Sequence, residues 1–146
     1  MTGRSVFISH AQADYEAARE LVERVEARGF ECWFASRDVV PGLALRGEQV
    51  VAAIADARVV VIVFSASANS SRGVSRHVAC AASRPVRLLP FRVADIRPSG
   101  ALEFFLAGQQ WIDAFPPPME PHYAKLCDCL GAIIATPPDG RDPLVR

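Results

Sequence analysis

No aspartate or glutamate occurs between Ala57 and Ala94, although the 146-residue chain carries 16 acidic residues in all. An element drawn from that stretch cannot contribute a carboxylate to chemistry, and the nearest acids, Asp56 and Asp95, lie outside it. Arg58, Arg72, Arg76, Arg84, Arg87 and Arg92 fill the same stretch, while Asp14, Glu16, Glu20, Glu23 and Glu26 crowd near the start. The chain is acidic early and basic in its middle, yet 16 basic residues cancel the 16 acidic ones. That balance removes any global attraction to nucleic acid or to an anionic membrane, so neither is expected as a partner.

Long apolar runs are also missing. Val59 to Phe64 is far too short to cross a bilayer, and Met1 to Ser5 leads into Val6-Phe7-Ile8 without the pattern of a secretory signal. A soluble, cytoplasmic protein is the expectation. Cysteine is sparse: Cys32, Cys80, Cys127 and Cys129 are scattered in a way that suits reduced, buried thiols better than a disulfide framework. Cys127-x-Cys129 has His122 nearby but no second ligand pair at zinc spacing, so no metal site is expected.

What the chain does have is core-forming material, with 51% apolar residues, enough for one full hydrophobic core but not for two ordinary domains. Ser5 to Ser9 reads as a strand, and Asp14 is placed to cap a helix whose Ala18, Leu21, Val22 and Val25 share one face before Gly29 ends it. Phe30 to Phe34 is a second strand, Ser36 to Ala44 a Pro/Gly loop, and Val50, Val51 and Ile54 mark a second helix. Val59 to Phe64 is the third strand, and its unbroken β-branched character fits burial on both faces. Val74, Val78, Ala81 and Ala82 predict a third helix from about Ser71 to Ser83, capped by the Asn69-Ser70-Ser71 segment and followed by a strand at Val86 to Phe91. A short helix through Phe105, a fifth strand at Gln110 to Asp113 and a closing helix from Tyr123 to Ile134 complete the pattern. Trp33 and Trp111 fall on strands and are expected in core packing or at a sheet edge.

This alternation predicts an α/β, flavodoxin-like three-layer sandwich: a five-stranded parallel sheet in the order 2-1-3-4-5 with helices on both faces. Residues 1–135 make the domain, and the Pro-rich stretch 136–146 reads as a tail or linker. Such sheets bind ligands beyond the carboxyl ends of the first and third strands, which places Ser9-His10-Ala11 and Ser65-Ala66-Ser67 along a crevice with Asn69 at its lip. The alternative is that these are simply solvated loops.

Several generic chemistries are excluded. Gly42 and Gly47 have the spacing of a phosphate-binding loop, but Glu48-Gln49 follows in place of Lys and Ser/Thr. A receiver domain needs an acidic pair after the first strand and an Asp ending the third; Ser9-His10 and Phe64-Ser65 stand there. No G-x-S-x-G elbow presents a nucleophile.

Phe7-Ile8-Ser9-His10, then Cys32-Trp33-Phe34-Ala35-Ser36-Arg37-Asp38-Val39-Val40-Pro41-Gly42, then Gln110-Trp111-Ile112-Asp113-Ala114 resemble, in order and spacing, the successive motifs of bacterial Toll/interleukin receptor (TIR) domains. The resemblance runs from about Ser5 to Ile134. It implies the fold already inferred, and a signalling or defence role through association with other TIR domains, as homo-oligomers on activation or with heterotypic partners. The loop Arg37, Asp38, Val39, Val40, Pro41 and Gly42 is implicated as an assembly surface; Arg37-Asp38 either braces that loop or is presented to a neighbour. No cofactor is implied as required, and NAD+ or a related nucleotide is implied as substrate or ligand, because many members cleave the nicotinamide–ribose bond.

The family places a Glu for that reaction on the third helix, in a pattern resembling Ser-x-x-Trp-x-x-x-Glu. Here the matching stretch starts at Ser70, with Gly73 at the Trp place and His77 at the Glu place. The resemblance therefore implies a degenerate site. Neutral His77 offers no charge and protonated His77 repels a developing cation; losing a carboxylate's attraction at about 4 Å in an effective dielectric near 20 costs roughly 4 kcal/mol, about a thousandfold in rate. Two rival readings stay open: His77 as a general base on water, for which no orienting partner is visible in the sequence, or a carboxylate delivered by a partner subunit. A third possibility is a pocket turned from cutting to binding, with Ser9, His10, Ser65, Ser67, Asn69 and Gly73 as ligand contacts and arginines behind them. The arginines read equally well as a solvated helix face.

Overall fold

A computed structural model describes residues 4–136. The expected tail segment 137–146 lies outside the described residues. Five strands, β1 (Val6–Ser9), β2 (Cys32–Phe34), β3 (Val59–Phe64), β4 (Arg87–Arg92) and β5 (Ile112–Asp113), pair in parallel in the order 2-1-3-4-5. Helices α1 (Tyr15–Ala27), α3 (Arg46–Asp56), α5 (Arg72–Ala82), α6 (Gly100–Leu106) and α7 (Glu120–Ala135) cover the sheet, and single-turn helices α2 (Ala35–Asp38) and α4 (Ala66–Asn69) interrupt two connections. The flavodoxin-like three-layer sandwich expected from the sequence is the fold.

β3 shows why the layers form. All six of its residues are buried, with Val59, Val61 and Val63 facing α1 and α7 while Val60, Ile62 and Phe64 face α3, α5 and α6. A strand covered on both sides has no reason to alternate with polar residues. Ala18, Leu21, Val22 and Val25 bury one stripe of α1 as their spacing requires, and Gly29 ends that segment with φ +97, open to glycine at little cost. On the opposite layer α5 buries Val74, Val78 and Ala81.

Strand ends are shorter than the sequence suggested at β2 and β5, both edge strands. The hydrophobic pattern marks burial, and an edge strand keeps its pattern after pairing has stopped. Trp33 stacks on Phe7 with ring centroids 5.3 Å apart, and Trp111 stands edge-on to Phe64 at 5.1 Å, so both tryptophans pack at sheet edges. Among the described residues no helix is long and apolar enough to cross a membrane, no group of His, Cys, Asp or Glu could hold a metal ion, and all four cysteines are free.

Candidate functional site

The third helix of the sequence pattern is α5, and Ser71 caps it by accepting the Val74 amide at 3.1 Å. His77 precedes the core residue Val78, so the helical turn places it at the margin of the buried stripe rather than within it. There its Nδ1 lies 2.9 Å from the hydroxyl of Ser9, the fully buried last residue of β1. Its ring stands edge-on to Phe7, centroids 5.1 Å apart. Burial foremost, with the charges of His10 and Arg46 adding to it, lowers the His77 pKa from its ordinary 6.5 to about 4. The imidazole is neutral at neutral pH. Ser9 is thus the orienting partner that the sequence did not reveal, and it is not exposed at a crevice lip.

His77 looks into a cavity of about 480 Å³ that also holds His10, Arg46, Gly73 and Arg76 against an apolar wall including Val50 and Ile54. Among the described residues no Asp or Glu lines it. His10 is fixed by Nδ1–H, which donates to the Ala11 carbonyl at 2.7 Å, and its ring packs on Phe34 at 5.2 Å. Arg46 and Arg76 are exposed, and among the described residues neither makes an ion pair. A Cβ placed on Gly73 would meet only the Ser71 hydroxyl, at 3.7 Å, so the cavity has room for a side chain there.

Of the expected ligand contacts, the structure gathers His10 and Gly73 around this cavity beside His77, the residue at the catalytic position, with Ser9 beneath. Ser65, Ser67 and Asn69 do not line it. The buried Ser65 hydroxyl donates to the Asp14 carboxylate and accepts the Ala68 amide at 3.1 Å, tying the end of β3 across to the start of α1. Asp14 therefore makes no side-chain cap on α1, contrary to its expected role. Asn69 donates to the Arg97 carbonyl at 2.8 Å and accepts the Ser99 amide at 2.9 Å, which holds the β4–α6 loop. Ser67 is exposed on α4.

Arg46 is the functional candidate that sequence reasoning missed. It precedes Gly47, which also lines the cavity although the glycine spacing there carries no phosphate-loop signature. The only available signal was a cation opening a helix beside a loop of interest, and such a residue is ordinarily a solvated one.

The loop after β2 is held from both ends. Arg37 donates to Glu26 at 2.9 and 3.0 Å, to the Cys32 carbonyl at 2.9 Å and to Asp38 at 3.0 and 2.9 Å. Asp38 in turn accepts the Phe34 amide at 2.8 Å and pairs with Arg4 at 2.9 Å. Burial alone would raise the Asp38 pKa, but the hydrogen bonds from Arg37, Phe34 and Arg4 outweigh it and hold the carboxyl below its ordinary value. At the far side the Gln49 amide accepts the Val40 N–H at 2.8 Å and donates to the carbonyls of Val40 and Ala44 at 2.9 and 3.0 Å. Gly42 takes φ +81 at the turn, a conformation that suits glycine. Between these anchors Val40, Leu43 and Leu45 are left exposed.

A second cavity of about 480 Å³ lies beyond β4 and β5, lined by Arg92, Glu103, Trp111 and Asp113 among others. Its Asp113 is already engaged by Arg92 at 2.8 and 3.1 Å, and Arg92 also lies over the rings of Trp111 and Phe115. This arrangement reads as a brace for the short β5.

A TIR domain family model matches residues 6–127. The stimulator of interferon genes protein of Magallana gigas is 34% identical over 116 residues, which cover 79% of this chain and 26% of that protein. Among solved structures, the TIR domain of the Toll-related receptor TRR-2 of Hydra magnipapillata superposes with a TM-score of 0.75 at 19% identity, covering 90% of this chain and 98% of that one. A TIR-STING receptor from C. gigas gives a TM-score of 0.61 at 28% identity over 93% of this chain and 41% of its own. The chain spans about a quarter of the curated relative it matches. These relatives are animal proteins, and the comparisons support the TIR family without its bacterial branch. With the family model covering the sheet and most helices, the chain belongs to the TIR domain family.

Proposed function

We propose that this TIR domain acts in a cytoplasmic signalling or defence pathway by assembling with other TIR domains, of its own kind or of a partner, and that it has lost the NAD+-cleaving reaction of the family. The observation that carries this reading is the cavity at His77, which holds two arginines and two histidines but, among the described residues, no carboxylate. Breaking the nicotinamide–ribose bond builds positive charge on the ribose, and an aimed carboxylate stabilises that charge. In this reading His77 stands where the family has that Glu. A neutral imidazole tied to Ser9 supplies no compensating charge, and Arg46 and Arg76 oppose the developing cation, so the roughly thousandfold deficit estimated from one missing charge applies. NAD+ or a related nucleotide is then a ligand of the cavity rather than a substrate, and no cofactor is needed.

Assembly is supported by the braced loop, whose exposed Val40, Leu43 and Leu45 form an apolar tip on a rigid base. A second reading, that His77 is a general base, draws on the Ser9 contact: Nδ1–H donating to the serine oxygen leaves the Nε2 lone pair free for water, although a pKa of about 4 makes that nitrogen a weak base.

The test is free nicotinamide release from NAD+ by the purified protein, dilute and crowded, alongside His77→Glu and His77→Glu combined with Gly73→Trp. Silence from the natural protein with turnover in a Glu variant supports the loss. Turnover by the natural protein that His77→Gln abolishes establishes the general base instead. For assembly, Pro41→His and Leu43→Asp should reduce self-association in light scattering while leaving the circular dichroism spectrum intact; unchanged association removes the loop from the interface.

A further inference from the structure

We propose that the cavity at His77 is a binding site for a dianionic phosphate monoester, held by Arg46 and Arg76. The proposal rests on the reading that the site no longer cleaves NAD+. Its basis is a charge balance of one sign in a concave place: Arg46 and Arg76 line the cavity from α3 and α5, His10, Gln12, Ser71 and His77 add polar groups, and among the described residues no acidic side chain lines it.

Two of the arginines beside other clefts are neutralised, whereas Arg87 and Arg97, which also border clefts, make no ion pair among the described residues. Arg37 is matched by Glu26 and Asp38, and Arg92 by Asp113 and Asp95. Arg46 and Arg76 have no such partner among the described residues. Two planar guanidinium groups lining one cavity can match the oxygens of a phosphate bearing two charges, and each such charge-assisted contact is stronger than a neutral hydrogen bond. The first turns of α3 and α5, which bring Gly47 and Gly73 to the same wall, add positive potential without supplying the site on their own.

Size and polarity set the rest of the ligand. About 480 Å³ falls within the range of small-molecule sites and exceeds what phosphate alone needs. The apolar wall of Val50 and Ile54 suits a sugar or a base edge. The same positive lining repels the nicotinamidium ring of NAD+, so a nucleoside monophosphate is favoured over a nicotinamide-bearing nucleotide.

The experiment is calorimetric titration of the purified protein with AMP, inorganic phosphate, adenosine and NAD+, repeated on Arg46→Gln, Arg76→Gln, the double variant and Arg72→Gln. AMP should bind saturably and more weakly as salt rises, and adenosine should not bind. Each single variant should weaken AMP by roughly tenfold or more, and the double variant should abolish it. Arg72→Gln, an exposed change on α5 outside the cavity, should leave affinity within about twofold. Inorganic phosphate binding as tightly as AMP would assign the site to free phosphate and still support it. Absence of both, undiminished AMP binding in the double variant, an equal loss in Arg72→Gln, or NAD+ binding more tightly than AMP would each overturn the proposal. Nicotinamide release is measured separately, so failure of the anion site and survival of catalysis are distinguishable.

Discussion

Arg37 and Arg46 bracket one loop and meet opposite fates. Every guanidinium nitrogen of Arg37 donates to a carboxylate or a carbonyl, while Arg46, with Arg76 across the cavity, meets no carboxylate among the described residues. A matched arginine belongs to the scaffold, because its charge is consumed in fixing the chain. An unmatched one beside a concave surface keeps its charge for whatever enters. Geometry thus separates arginines committed to the scaffold from arginines left without a carboxylate, although both look alike in sequence.

The largest effect expected from disturbing this contrast is on chemistry. His77→Glu installs a carboxylate beside Arg46 and Arg76, and nicotinamide release from NAD+ should rise by up to about 10³-fold over the natural protein. The new carboxylate also gains arginine partners, which would hold it as Asp38 is held. Adding Arg46→Gln should therefore raise turnover further. If it lowers turnover instead, the arginine assists catalysis and the contrast between the two regions fails.

The next effect is on stability, in the matched region. Asp38→Ala leaves Arg37 and Arg4 without their shared partner and frees the Phe34 amide, so about 2–3 kcal/mol of stability should be lost. Thermal unfolding should show a melting temperature several degrees lower. A change below one degree would mean that the network is a surface ornament.

The two regions also differ in how far the sequence disclosed them. The fold was legible because β3, α1 and α5 carry unmistakable burial patterns, and parallel βα units leave few ways to order five strands. The loop was legible as a motif but not as a mechanism. Gln49 pins Val40 across nine positions, and nothing in a string of residues marks such a contact. The site was only partly legible. The acid-free stretch announced that α5 would bring no carboxylate, and His77 and Gly73 do reach the cavity. Ser65 and Asn69 read as ligand contacts because polar residues after a parallel strand usually face a crevice. Here their side chains are consumed by Asp14 and by the 97–99 backbone, long-range pairings that topology alone does not specify.

His77 supplies a pH test of the unmatched region. Its folded-state pKa of about 4 lies below the ordinary 6.5, so the unfolded chain binds the proton more readily. Stability should fall as pH drops from about 6.5 toward 4 and flatten below that range, with about 2 kcal/mol lost by pH 5 from this group. Melting curves of His77→Gln should lack that component of the acid dependence. A histidine already paired with an acid would show the opposite slope, because its folded pKa would be raised.

The smallest effect is the most diagnostic. Arg46→Gln and Arg76→Gln should each change stability by no more than about 0.5 kcal/mol, since neither side chain is buried and neither makes an ion pair among the described residues. Residues that cost little to remove yet define the sign of a cavity are what a binding site looks like when it is not needed for folding. If both substitutions instead destabilise the domain as Asp38→Ala does, the arginines are structural after all, and the difference between the two regions is one of degree. If stability stays flat while the affinity for AMP falls, folding and recognition have been assigned to separate arginines within a span of ten residues, Arg37 to Arg46.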